Sequence, residues 1–341
     1  MVTDHQNLSS LLAAVREGNP RAVGRSISLI ENAAPELPAL MKALAPTTGR
    51  AMILGLTGPP GVGKSTTIAA LVAAIREQGQ RVGVLAIDPS SPFSGGALLG
   101  DRVRMQQHAL DGEVLIRSMA TRGHLGGLAV AAPAALRVYD AAGCNLVIIE
   151  TVGVGQAEVD IAGVADCTVM LMAPGAGDGI QAAKAGILEI ADIFVVNKSD
   201  REGAHAVVRQ LREMVALGKR MDGDWKPPVL PLVATTGEGL SGLQAAIESF
   251  RSQAERTGRW QERRLLRAQR EVQSLLLESL RRQVSLHRGV EIEQLAIAVR
   301  DGKLDAYSAV KQLLTDSAAA APLMNDGVAL VKSGSDEVQR T

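Results

Sequence analysis

The run Gly58-Pro59-Pro60-Gly61-Val62-Gly63-Lys64-Ser65 constrains what this chain can fold into more than any other segment. It follows the apolar stretch Ala51-Met52-Ile53-Leu54-Gly55-Leu56-Thr57 and precedes a helical pattern that starts at Thr66, so strand, glycine-rich turn and helix succeed one another without a spacer. Such a turn aims successive backbone N–H groups and the positive end of a helix at one point, which forms a cradle for phosphate oxygens. The G-x-x-x-x-G-K-S spacing adds Lys64 for the β and γ phosphates and the Ser65 hydroxyl for Mg²⁺. An ordinary strand-to-helix turn is the competing reading, and the flanking strand and helix weigh against it.

The rest of the chain supplies a sheet around that turn. Arg81-Val82-Gly83-Val84-Leu85-Ala86-Ile87, Asn145-Leu146-Val147-Ile148-Ile149, Cys167-Thr168-Val169-Met170-Leu171-Met172 and Ile193-Phe194-Val195-Val196 are unbroken apolar runs separated by helical stretches, and one more strand is expected over 228–233. Runs that do not alternate predict parallel strands covered on both faces, hence an α/β fold with a mostly parallel sheet under helices. Apolar residues make up 46% of the chain but aromatic residues only 2%, so Ala, Val, Leu and Ile must fill the core.

At 341 residues the chain has room for one large core with appendages. We place an N-terminal helical extension at 1–48, where Leu8, Leu11, Leu12, Val15, Val23, Ile27 and Ile30 recur at helical spacing around Gly18-Asn19-Pro20. The phosphate-binding domain is assigned to 49–255 and a helical arm to 256–341. In the arm a helix is predicted over 259–284, with Leu265, Leu266, Val272, Leu275, Leu276 and Leu280 facing inward, then two helices around 291–300 and 304–314. That apolar face needs a partner surface, so a dimerisation or docking arm is expected, against the competing reading of a helical subdomain packed on the chain's own body.

Lys plus Arg and Asp plus Glu both number 36, so net charge directs the chain neither to nucleic acid nor to an anionic membrane. No run of about 18 apolar residues and no leader pattern is found, which predicts a soluble protein of the cytoplasm. Cys144 and Cys167 lack ligand spacing and are expected as reduced core thiols.

Other candidate residues follow the predicted strands, at the edge of a parallel sheet where ligands bind. Asn197-Lys198-Ser199-Asp200 has the N-K-x-D form that reads guanine. Asp200 accepts from the ring N–H and the exocyclic amine, two donors that adenine lacks, and an unsatisfied carboxylate costs on the order of a few kcal/mol. Ala234 and Thr235, after the last predicted strand, are added to the nucleotide contacts. Glu150 ends a strand and suits a water- or Mg²⁺-facing role, while Gly153 behind it offers an N–H to a γ-phosphate. Asp88 and Asp101 bracket a loop containing Gly95-Gly96 and are placed near Mg²⁺ and its waters; each is also a residue type that caps helices or closes turns. The run Gly175-Ala176-Gly177-Asp178-Gly179-Ile180-Gln181-Ala182-Ala183-Lys184 reads either as a loop that changes on nucleotide turnover or as a plain surface loop.

Taken together, Gly58 to Thr66, Asp88-Pro89-Ser90-Ser91, Gly95 to Asp101, Leu125-Gly126-Gly127, Glu150 to Gln156, Pro174 to Asp178 and Asn197 to Asp200 resemble the MeaB/ArgK/MMAA family of GTPases, over about residues 8–315. The resemblance implies a homodimeric G protein that binds GTP or GDP with Mg²⁺ and attends an adenosylcobalamin-dependent acyl-CoA mutase. It would gate cofactor delivery from an adenosyltransferase and help eject damaged cofactor. Carried over by position, Lys64 and Ser65 hold phosphate and Mg²⁺, Asp88, Asp101 and Glu150 form the Mg²⁺ and water network, and Asp200 reads guanine. Gln181 and Lys184 match the family's third switch loop, and Lys184 would supply charge to the transition state. Departures at Gln156-Ala157-Glu158, at Gly179 and at Met119 to His124 leave the client open among methylmalonyl-, isobutyryl- and 2-hydroxyisobutyryl-CoA mutases.

Two other functions compete. A phosphotransferase of the ArgK transport-kinase type would need an acceptor site and a base. A nickel metallochaperone would need a segment rich in His or Cys, whereas the five histidines here are scattered without metal spacing. No D-x-H-x-x-G segment is present, so cobalamin would be held by the partner and not by this chain.

Overall fold

A computed structural model of the chain describes residues 2–88, 108, 110–120, 128–151, 157–175, 190–217 and 223–319. These residues divide into two compact units, Met1–Leu275 and Leu276–Thr341. Seven strands form one sheet in the first unit: β1 (Met52–Thr57), β2 (Val82–Asp88), β3 (Val114–Ala120), β4 (Leu146–Thr151), β5 (Cys167–Met172), β6 (Ile193–Asn197) and β7 (Val229–Leu232). Their order is β3-β2-β4-β1-β5-β6-β7 and every pairing is parallel, so β1 lies at the centre.

Alternate residues of each strand face opposite layers. Ile53, Leu85, Ile87, Val147 and Ile149 pack on one side beneath α1 (Val2–Arg16), α2 (Pro20–Glu31), α3 (Leu37–Leu44), α5 (Leu128–Ala141) and α6 (Ala157–Val164). Met52, Leu54, Leu56, Ile148, Val169 and Val195 face α4 (Lys64–Glu77) and α8 (Leu240–Arg256), while Phe194 and Val196 pack on α7 (Ala204–Leu217). This double coverage is the physical reason the strand runs are continuously apolar.

The N-terminal helices form where their sequence punctuates them. Asn19 caps α2, its Oδ1 accepting from the amides of Arg21 (2.9 Å) and Ala22 (3.2 Å), and Pro20 opens the helix. Val23, Ile27 and Ile30 on the opposite face are buried in the first layer, each contributing about 1.5–3 kcal/mol.

Three features differ from the sequence-based expectation. β3, an edge strand, is an addition to it: Arg117 and Ser118 interrupt its apolar run, yet Arg117 lies beside α2 and donates to the Ser28 hydroxyl at 2.8 Å. The helix expected to stop at 284 instead runs unbroken as α9 (Arg259–Arg300), followed by α10 (Ala306–Ala319). Gly289 costs a helix interior only about 1 kcal/mol, too little to end it. Leu265, Leu266, Val272, Leu275, Leu276 and Leu280, expected to face inward, are exposed at 60, 45, 66, 48, 57 and 47%. The apolar repeat of this helix therefore exceeds what the described residues cover.

Both cysteines are free and buried. Burial pushes the Cys144 thiol up to about 12 and raises that of Cys167 well above its ordinary range. Among the described residues no helix is long and apolar enough to cross a membrane.

Candidate nucleotide site

The loop after β1 has the form the sequence predicts, and its glycines are required individually. Gly58 has φ +144°, and a Cβ there would stand 2.2 Å from the Leu171 carbonyl oxygen of β5. Gly63 has φ +96°, and a Cβ would stand 2.3 Å from Asn197 Nδ2. No other residue permits both that conformation and that approach. Val62 is buried, Pro60, Gly61 and Thr66 are exposed, and Pro59 is half-buried.

Lys64, at the first position of α4, folds back over the loop, and its Nζ donates to the carbonyls of Gly58 (2.8 Å) and Pro59 (3.1 Å). Only 8% of Lys64 is exposed, which holds a cation at the concave side of the loop. Ser65 Oγ donates to Glu150 Oε1 at 3.0 Å, with both residues buried. Glu150 reaches this position because β4 is the neighbour of β1, with Glu150 in register with Leu56. A buried hydroxyl beside a buried carboxylate is an all-oxygen donor pair, which suits a hard cation such as Mg²⁺. Among the described residues no group of three or more His, Cys, Asp or Glu side chains could bind a metal alone, so phosphate and water oxygens would complete such a shell.

On the other flank β6 delivers Asn197. Its side chain is buried and ties two loops together: Nδ2 donates to the Val62 carbonyl at 2.8 Å, and Oδ1 accepts from the Ala234 amide at 3.1 Å. Lys198, at φ +56°, donates from Nζ to the Gly61 carbonyl at 2.6 Å, and the Ser199 amide donates to the Leu232 carbonyl at 3.0 Å. Asp200 and Thr235 are exposed and Ala234 is buried, all beside the same sheet edge. Sequence reasoning misses Asn197's role as a tie, because its partner Val62 lies 135 positions upstream and nothing in the tetrapeptide itself signals that contact.

Asp88 ends β2 in register with Ala120, next to the end of β4; its backbone is placed and its side chain lies outside the described part. Asp101, Gly153, Gln181 and Lys184 lie outside the described residues. The structure thus brings together Gly58 to Thr66, Glu150, Asn197 to Asp200, Ala234 and Thr235 at the carboxyl edge of β4, β1, β6 and β7, where a parallel sheet binds ligands.

Residues 23–288 match the family model described as methylmalonyl Co-A mutase-associated GTPase MeaB. The chain belongs to the MeaB family of GTPases. Relatives agree: a Pyrococcus abyssi protein that carries a GTPase name is 45% identical over 313 residues, covering 91% of this chain and 96% of its own. The GTPase ArgK of Escherichia coli is 36% identical over 262 residues, 75% of this chain and 79% of the relative. The mouse methylmalonic aciduria type A homolog is 39% identical over 203 residues, 59% of this chain and 49% of the mouse protein. A crystal structure of a LAO/AO transport system kinase superposes with a TM-score of 0.70 at 25% identity, covering 92% of this chain and 98% of that one. As a MeaB-family member the chain is a P-loop GTP hydrolase, and the phosphate loop and the N-K-x-D segment lie on the sheet edge that this activity requires.

Proposed function

We propose that this GTPase gates the loading of adenosylcobalamin into a cobalamin-dependent acyl-CoA mutase and protects or reactivates the loaded enzyme. The observation that carries the reading is the match of residues 23–288 to a family described as associated with methylmalonyl-CoA mutase. The mutase of methylmalonyl-CoA, or a relative acting on isobutyryl- or 2-hydroxyisobutyryl-CoA, is the client. An adenosyltransferase supplies the cofactor, which reaches this chain only through its partner.

In this reading residues 1–48, 49–255 and 256–341 serve as N-terminal extension, GTPase domain and dimerisation arm, and the protein works in the cytoplasm. The exposed leucines of α9 support a homodimer, since an isolated helix face of that kind needs a second surface. Lys64 and the loop 58–66 hold the phosphates, Asn197, Lys198 and Asp200 with Ala234 and Thr235 hold the base, and Gly153 senses the γ-phosphate. Ser65 and Glu150, with Asp88 and Asp101, would hold Mg²⁺. When bound, the ion would neutralise charge building on the β and γ phosphates. Gln181 and Lys184 complete the site when the client engages, so hydrolysis is slow without it.

The test is hydrolysis of GTP and of ATP by the purified protein, alone and with each candidate mutase. Slow GTP-specific turnover that rises severalfold with one mutase, and loses that rise in Lys184→Ala while the basal rate stays, is the expected result. Turnover indifferent to every mutase would defeat the proposal. Transfer of the γ-phosphate to an acceptor would favour the kinase reading, which the superposing transport-system kinase keeps in play.

A further inference from the structure

At the end of the sheet opposite the phosphate loop, two aspartates repeat one arrangement. Asp166 directly precedes β5 and grips the second residue of β1: its amide donates to the Ile53 carbonyl (2.8 Å), and its Oδ2 accepts from the Ile53 amide (2.9 Å). Asp192 directly precedes β6 and grips the second residue of β5 in the same way, through the Thr168 carbonyl (2.9 Å) and amide (2.9 Å). Both aspartates are buried, at 2 and 5% exposure. A buried carboxylate needs compensating charge, and among the described residues the arginines that provide it come from the first turns of α9.

Arg263 meets Asp192 with two nearly parallel bonds, Nη1 to Oδ2 at 2.9 Å and Nη2 to Oδ1 at 2.8 Å. Arg264 donates to both oxygens of Asp166, at 3.2 and 3.1 Å, and also to the Ala51 carbonyl at 2.8 Å. Arg267 donates from Nη1 to Asp166 Oδ1 at 2.9 Å and to the Val164 carbonyl at 3.0 Å. One helix thus staples the starts of β1, β5 and β6. The other ends of β1 and β6 carry the phosphate loop and Asn197-Lys198, which are themselves joined through Val62 and Gly61.

We propose that Arg263 and Arg264 are positioning residues for nucleotide: by fixing β1 against β5 and β6 at their base, docking of the first turns of α9 sets the spacing of the phosphate loop and the guanine-reading segment, and nucleotide occupancy tightens that docking in return. The coupling is reciprocal because both ligands of the strand block, helix below and nucleotide above, act on the same relative placement of β1 and β6. It rests on nucleotide binding alone and is independent of any client protein.

A purely structural staple would cost stability without touching affinity, so a matched control decides the matter. Arg137 forms an ion pair with Glu271, which also anchors α9 but through bonds that run to α5 and not to a strand start. The experiment compares Arg263→Gln, Arg264→Gln and Arg137→Gln in the full chain by titration with a fluorescent GDP, by KM and kcat for GTP, and by thermal melting. The expected result is GDP affinity and KM about fivefold or more worse in Arg263→Gln and Arg264→Gln, at the lower end of ordinary coupling, with kcat within about twofold and Arg137→Gln like the parent. Affinities within about twofold of the parent in both staple variants, or an equal loss in the control, would overturn the proposal. Should the variants not fold, hydrogen exchange of the unaltered chain reads the same coupling. GDP should slow exchange at the Ile53 and Thr168 amides and over 259–268 by about fivefold or more, and unchanged exchange there would overturn it.

Discussion

Replacing Asn197 by alanine tests whether this residue is a structural tie between loops. Asn197 is 2% exposed, and its two side-chain hydrogen bonds, 2.8 Å to the Val62 carbonyl and 3.1 Å from the Ala234 amide, have no solvent to replace them. Two such bonds contribute about 1 kcal/mol each, and leaving the buried Ala234 amide without its acceptor adds about 1–3 kcal/mol. The expected loss is therefore about 3–5 kcal/mol, a large share of the roughly 5–15 kcal/mol that holds a typical domain, and melting should fall by about 6–20 °C. Asn197→Asp is the informative companion. Its carboxylate still accepts from Ala234 but sets a second acceptor against the Val62 carbonyl and buries a charge, so it should be no better than alanine. Urea unfolding of the three proteins, followed by titration with a fluorescent GDP, measures both consequences. A loss under about 1 kcal/mol for alanine, or an aspartate variant as stable as the parent, would refute the assignment of Asn197 as a buried tie.

Four further outcomes are expected. Gly58→Ala forces a Cβ 2.2 Å from the Leu171 carbonyl at φ +144°, so it should lose at least about 2 kcal/mol in chemical unfolding and fail to retain GDP on a desalting column. Glu150→Gln keeps the shape beside Ser65 but removes the charge, so GTP hydrolysis assayed with Mg²⁺ present should fall about 100-fold or more while melting changes little. Native protein should resist thiol-reactive dye at pH 8.5 and react at both cysteines only in denaturant. For Cys144 the folded value of about 12 exceeds the ordinary 9.0, so its contribution holds below about pH 9 and is lost as pH rises toward 12, where the unfolded chain releases a proton the folded chain keeps; a pH series of urea midpoints checks the sign.

The central strand, its glycine turn and α4 are legible because each is written in adjacent residues: an apolar run, glycines at the positive-φ positions, then helix formers. The N-K-x-D tetrapeptide is legible for the same reason. Strand β3 is not, since Arg117 and Ser118 break the pattern and only α2, nearly ninety positions earlier, makes room for the arginine. The extent of α9 escapes local reasoning at Gly289, where a single local cost is outweighed by the helix on either side. The exposure of its leucines follows from what surrounds the helix, which periodicity cannot report.

By itself the sequence determined the chemistry available to this protein: a glycine-rich P-loop with Lys64 and Ser65, an acid at Glu150 and an N-K-x-D segment ending in Asp200, strung on buried parallel strands. Those features depend on backbone torsion, side-chain type and short-range order, all of which act between neighbours. Only the tertiary structure decided that β4 stands beside β1 and so brings Glu150 to Ser65, that Asn197 binds two loops together, and that Asp166 and Asp192 meet the arginines of α9. Those pairings join residues tens to more than a hundred positions apart. They are fixed by which strands align and by the demand that every buried charge find a partner, conditions met only once the whole domain has closed.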